Sequence, residues 1–179
     1  MTNTVVGVFN DFTAAVNTTA DLVGAGFQKE DISVVAQDQK GEYAKFLEAE
    51  TNPDASSNVG AGALVGGLSG LLLGLAALAI PGIGPVIAAG PLAAAITGAT
   101  LGAATGSLVG ALHGLGVPDF EAKAYDQGLR EGNTLVIVRA AENEAPRAIE
   151  ILRQHRAVQV DRHSAQYSAQ STSFSESTR

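Results

Sequence analysis

The sequence contains no cysteine and no tryptophan among its 179 residues. Without cysteine the chain forms no disulfide, zinc–thiolate site or iron–sulfur cluster, and it has no thiol nucleophile. It also lacks a run of lysines and arginines interleaved with aromatic residues, and its formal net charge is −7. Because nucleic-acid affinity depends on neutralising phosphates, this acidic balance argues against a nucleic-acid partner.

Charge is missing altogether from the middle of the chain. Residues 58–118, the charge-free segment, contain no Asp, Glu, Lys or Arg. Nine acidic residues and three lysines precede this segment, and nine acidic and eight basic residues follow it. A long segment that is apolar all round is expected to be buried in something, whether lipid or protein.

The two flanks of the charge-free segment predict an α/β domain. β-rich runs predict strands, and helical spacing of apolar residues predicts helices. A further short helix is expected around Glu42–Glu50. The predicted strands are Thr4–Phe9, Asp31–Gln37, Thr134–Ala140 and Ala157–Asp161, and the predicted helices are Asp11–Phe27, Phe120–Arg130 and Glu144–Arg156.

This order of elements favours an α+β fold. Two βαβ-like halves joined through a further segment are typical of a ferredoxin-like split βαβ domain, an antiparallel sheet with helices on one face. The predicted organisation is a discontinuous domain of residues 1–57 plus 118–163, a glycine-zipper α-helical hairpin at 58–117, and a Ser-rich, flexible tail at 164–179. A small doubly wound parallel sheet is the alternative.

The predicted hairpin has two helices, Val59–Ile80 and Pro91–Leu115, separated by the breaker Pro81–Pro85. Each helix is near the ~20 residues that span a bilayer core. Each glycine is less favourable in a helix than alanine by about 0.8–1.0 kcal/mol, so we expect compensation through close helix–helix approach. The predicted interface consists of glycines at every fourth position: Gly62, Gly66, Gly70, Gly74, Gly98, Gly102, Gly106, Gly110 and Gly114.

Three environments for the hairpin follow from its composition. It inserts in a membrane, it forms the shared apolar interior of a soluble assembly, or it folds back on its own domain. The second helix is the weaker candidate for lipid, because Thr97, Thr100 and Thr105 interrupt it and bulky apolar residues are sparse. The partners expected are therefore a second copy of the chain, with lipid or a membrane as a further partner.

Both flanks resemble a known family. The run VVGVFNDFTAAVNTTADLVGAGFQKEDISVVAQD, and GVPDFEAKAYDQGLREGNTLVIVRA directly after the glycine-rich segment, are similar to bacterial general stress (heat-induced stress) proteins, whose larger relatives carry a glycine-zipper insert. The resemblance covers roughly residues 4–38 and 60–160. It implies a stress-associated bacterial protein and transfers no catalytic residue.

No constellation for catalysis, cofactor binding or metal binding emerges from the remaining residues. Glycine pairs in the charge-free segment lack the lysine of a phosphate-binding loop. His113 is expected at the end of an apolar helix, and His155 and His163 are expected in exposed, basic surroundings without carboxylates at ligand spacing.

The sequence thus predicts a non-enzymatic protein, cytoplasmic or on the cytoplasmic face of the inner membrane. It self-associates or inserts in a membrane through its hairpin. The alternatives are a soluble particle with a hydrophobic interior that holds lipid or apolar cargo, and a small-ligand sensor with a hairpin anchor.

Overall fold

The computed structural model describes residues 2–38, 41, 76–80, 83–96 and 107–164. A 3-10 turn at Lys29–Asp31 precedes the second strand. In these residues the strands are β1 (Thr2–Phe9), β2 (Ile32–Gln37), β3 (Ala76–Ile80), β4 (Gly84–Ala89), β5 (Thr134–Ala141) and β6 (Gln159–Ser164), and the helices are α1 (Phe12–Gly24), α2 (Pro91–Ile96), α3 (Leu108–Gly114), α4 (Asp119–Arg130) and α5 (Ala145–Gln154).

The strands form one six-stranded sheet in the order β3-β4-β2-β5-β1-β6. Every neighbouring pair is antiparallel. Val6 of β1 lies opposite Ile137 on one side and Asp161 on the other. The protein is therefore a mixed helix-and-strand fold with an antiparallel sheet, and the alternative of a doubly wound parallel sheet is wrong.

The elements predicted in the flanks are present, with their ends shifted by a few residues. Asp11 caps α1: its carboxylate accepts hydrogen bonds from the backbone N–H groups of Thr13 and Ala14 at 3.3 and 3.1 Å. β6 begins two residues later than predicted and continues to Ser164. The helix expected around Glu42–Glu50 and the tail beyond Ser164 lie outside the described residues.

Helices cover both faces of the sheet, whereas the sequence interpretation placed them on one. On one face α1 and α5 pack against Val5, Phe9 and Val136. On the other face α2, α3 and α4 pack against Val8 and Ile137. The physical reason is visible in β1 and β5, whose apolar runs bury both alternating sets of side chains, as strands covered on two sides do.

The tip of the predicted helical hairpin is a β-hairpin. Ala76–Ile80, expected to end the first helix, is strand β3, and Gly84–Ala89 is strand β4. The carbonyl of Ile80 accepts a hydrogen bond from the N–H of Ile83 at 3.0 Å, and Gly84 has φ +97°, a value that glycine adopts without strain. Short apolar runs do not distinguish a buried strand from a helix by periodicity, which explains the error.

The second predicted helix, Pro91–Leu115, is also not continuous. α2 covers its start, and α3 begins anew after Ser107, whose backbone is extended (φ −122°, ψ 140°). The Ser107 hydroxyl oxygen accepts a hydrogen bond from the N–H of Gly110 at 3.0 Å, the geometry of a helix N-cap. Residues 97–106 lie outside the described part of the chain.

Candidate functional site

Two features of the described chain bear on function. They are the part of the charge-free segment that joins the sheet, and a polar cluster between α4 and β6.

Most of the predicted glycine interface lies outside the described residues. This applies to Gly62, Gly66, Gly70, Gly74, Gly98, Gly102 and Gly106, whereas Gly110 and Gly114 lie in α3. A Cβ atom added at Gly114 would meet no atom within 4 Å. Within a single chain, that position therefore does not need a glycine for close packing, and an interface through the glycines stays a prediction about other copies.

The described remainder of the charge-free segment is part of the domain's own core. Leu92, Ile96, Leu108 and Leu112 are at most 5 % exposed and share one apolar cluster with residues of the sheet. Complete burial of a side chain of this size contributes about 1.5–3 kcal/mol. These side chains are thus shielded from water by the sheet itself.

One glycine allows α2 to pack closely against the sheet. Gly90, between β4 and α2, has φ +78°, and a Cβ atom there would lie 2.0 Å from the carbonyl oxygen of Ile32. Beside it, the N–H of Leu92 donates to the Ser33 hydroxyl oxygen at 3.2 Å. The start of α2 therefore rests directly on the backbone of β2.

The polar cluster, which we call the α4–β6 cluster, consists of Glu121, Tyr125, Asp161 and His163. Alternation along β6 puts Asp161 and His163 on the same face of the sheet. Glu121 and Tyr125 are one helical turn apart on α4 and face the same strand. Tyr125 and His163 are 3 % and 7 % exposed.

Short polar contacts join the members of the α4–β6 cluster. The Tyr125 hydroxyl donates to Asp161 Oδ2 at 2.6 Å. His163 Nε2 lies 3.4 Å from the Tyr125 oxygen and 3.3 Å from Glu121 Oε2. The His163 and Tyr125 rings also meet edge to face, with centroids 6.4 Å apart.

Burial raises the pKa of Tyr125 well above its usual range, and the hydrogen bond to Asp161 and the charges of Asp161 and Glu121 raise it further. The phenol is therefore held in its neutral form and is unsuited to act as a base. In this arrangement the Tyr125 hydroxyl and the His163 ring bind carboxylates and hold the edge strand β6 to α4.

His113 lies in the last turn of the apolar helix α3, as expected, whereas His155 and His163 are placed differently from expectation. His163 is buried, and it lies beside a carboxylate. His155 Nε2 lies 2.7 Å from Asp21 Oδ2, and His113 Nδ1 lies 2.9 Å from Asp119 Oδ1. The alternating polar residues of QVDRHS were the available signal, because in an edge strand every second side chain turns toward a covering helix.

Among the described residues, no group of three or more His, Cys, Asp or Glu side chains could hold a metal ion. In the same part of the chain, no helix is both long enough and apolar enough to cross a membrane.

Comparison with protein-family models, curated proteins and solved structures found no match to this chain.

Proposed function

We propose that this protein is a non-enzymatic, stress-associated scaffold that self-associates through its charge-free segment. The stress association comes from the likeness of the flanks to general stress proteins. The observation that carries self-association is the position of β3. This strand belongs to the charge-free segment, contains no charged residue and is the last strand on one side of the sheet.

The fold of this scaffold is, in our proposal, an elaborated ferredoxin-like domain. β1 lies between β5 and β6, and β5 lies between β1 and β2. Each βαβ half thus encloses a strand of the other half, which is the arrangement of a split βαβ domain. The charge-free segment then adds two strands beside β2, and its helices α2 and α3 join α4 in covering the second face.

The membrane alternative is less well supported by this geometry. It needs continuous helices through both halves of the charge-free segment, and Ala76–Ile80 and Gly84–Ala89 are strands that pair in the sheet. The ligand-sensor alternative needs a binding face on the sheet, and both faces are covered by helices of the chain itself.

The experiment that tests the proposal is light scattering on the full chain during size-exclusion chromatography, with and without detergent. We expect a species larger than the 18.1 kDa monomer in both conditions. The test variant is Gly106→Leu. Gly106 belongs to the predicted glycine interface.

If the glycines form an interface, the leucine side chain separates the two backbones, and such overpacking typically costs about 1–3 kcal/mol. We therefore expect Gly106→Leu to lower the molecular mass and the melting temperature, and Leu101→Ala, off the glycine stripe, to lower the melting temperature alone. A Gly106→Leu variant that keeps its oligomeric mass and melts no lower than the parent contradicts a role for the glycines. A parent that is monomeric at every concentration contradicts the proposed function itself.

A further inference from the structure

The edge strand β3 offers hydrogen-bonding groups to a partner. It ends the sheet, and its one sheet neighbour among the described residues is β4. The pairing of β4 shows which backbone groups of β3 face outward. The N–H of Asp38 donates to the carbonyl of Pro85 at 2.9 Å, so the backbone groups of Pro85 point toward the β2 side.

In an antiparallel ladder, successive residues point their backbone groups alternately to the two sides. The groups of Gly84, Val86 and Ala88 therefore point toward β3, where their opposite residues are Ile80, Leu78 and Ala76. It follows that the N–H and C=O groups of Ala77 and Ala79 point away from β4, at the edge of the sheet.

Edge strands in natural proteins are commonly protected by charged side chains, an internal proline or a bulge. The sequence of β3, Ala-Ala-Leu-Ala-Ile, contains no charge and no proline, and its register with β4 is continuous. The opposite edge differs, because β6 carries Asp161 and Arg162 and is held by the α4–β6 cluster.

We infer that β3 pairs antiparallel with β3 of a second copy of this chain, around a two-fold axis at Leu78. Ala77 of each copy exchanges both backbone hydrogen bonds with Ala79 of the other, and Leu78 faces Leu78 as a non-hydrogen-bonded pair. The pairing joins two six-stranded sheets into one. This inference rests on the self-association proposed above and names the surface that performs it.

The distribution of charge favours a second copy as the occupant. A chain of net charge −7 repels another copy wherever its charged regions meet. All of its Asp, Glu, Lys and Arg residues lie outside residues 58–118, so contact through β3 brings together the part of the sequence that carries none. A two-fold axis brings the same surface of both copies together, so the uncharged strand β3 meets an identical uncharged strand.

The absence of cysteine from the parent allows a single-thiol test. In a non-hydrogen-bonded antiparallel pair, opposite Cβ atoms are about 4.5–5.5 Å apart, close to the roughly 3.5–4.5 Å of a disulfide. We expect Leu78→Cys to form a disulfide-linked dimer on mild oxidation. The matched control is Val158→Cys, which places a thiol at a 57 % exposed position just before β6, at the far edge of the sheet, and should stay monomeric on a denaturing gel.

A second variant removes the hydrogen bonds without a thiol. Ala79→Pro deletes one outward N–H from each copy and leaves the β4 ladder intact. We expect it to lower the dimer fraction in light scattering, while the melting temperature of the monomer is maintained. If the parent is oligomeric but Leu78→Cys crosslinks no faster than Val158→Cys, the inference is wrong and the proposed function stands. If the parent is monomeric, both are wrong.

Discussion

The hydroxyl of Tyr125 lies between the buried ring of His163 and the carboxylates of Asp161 and Glu121. Burial and negative charge both favour the protonated phenol, so the pKa of Tyr125 is higher in the folded chain than in the unfolded chain. A raised pKa of this kind stabilises the fold fully below the unfolded value, about 10, and the stabilisation decreases as pH rises above it.

Tyr125→Phe tests this linkage, because it keeps the ring and removes the hydroxyl. Near pH 8 we expect the variant to lose about 1.5–3 kcal/mol of unfolding free energy, the contribution of a hydrogen bond to a charged acceptor. Between roughly pH 8 and 11 the parent should lose stability more steeply than the variant. Urea denaturation at both pH values measures the difference. Parallel loss in parent and variant would contradict the raised pKa.

Absorbance provides an independent check in the same experiment. The chain has three tyrosines and no tryptophan, so phenolate formation is read without interference from indole. We expect one tyrosine of the parent to resist titration until the protein unfolds, and this delayed step to be missing from Tyr125→Phe.

At the residue scale, the sequence did not predict the α4–β6 cluster. Tyr125 is part of the apolar cluster between α4 and the sheet. Its polar partners come from β6, 36 and 38 positions away along the chain. Contacts at that separation depend on how strand and helix pack, and no local spacing in the sequence specifies them.

At the scale of the element, the flanks were predictable because their strands and helices have caps and clear periodicity. The structure of the charge-free segment was not predictable in this way, because a continuous run of Ala, Gly and Leu shows no periodicity that separates a buried strand from a buried helix. The deciding contacts are tertiary. Val86 and Ile87 pair with β2 on one side and β3 on the other, and such pairing overrides weak local propensity.

Gly90 offers a sharp test of how the charge-free segment is attached. In Gly90→Ala, a non-glycine residue at φ +78° costs roughly 1–2 kcal/mol, and the new Cβ also meets the Ile32 carbonyl oxygen at 2.0 Å. The matched control is Gly84→Ala, at φ +97° but with no atom within 4 Å of the new Cβ. We expect the control to lose about 1–2 kcal/mol of unfolding free energy and Gly90→Ala to lose considerably more.

Chemical denaturation of both glycine variants separates backbone strain from steric contact. The excess loss in Gly90→Ala measures the close approach of α2 to β2. Equal losses in the two variants would mean that this approach does not exist in solution.

At the scale of the whole molecule, the sheet interleaves the two ends of the chain. β1 has β5 and β6 as its neighbours, and β2 has β4 and β5. The two strands that precede the charge-free segment therefore do not touch each other in the sheet. The domain built from both flanks stays a prediction, and the structure shows that β4, from within the charge-free segment, pairs with β2.

This interleaving makes a definite prediction for a fragment of residues 1–57. In the fragment, β1 and β2 lack every strand that they pair with, and α1 lacks α5 and the buried residues of β5 that it packs against. A pair of strands is marginal even when the two are adjacent, so two strands without partners have no sheet to stabilise them. We expect the fragment to show no cooperative thermal transition by circular dichroism and to gain structure when mixed with a fragment of residues 58–179. The intact chain, melted under the same conditions, is the control. A cooperative transition in residues 1–57 alone would mean that the N-terminal flank folds by itself, and that the sheet order described here is not what holds the domain together.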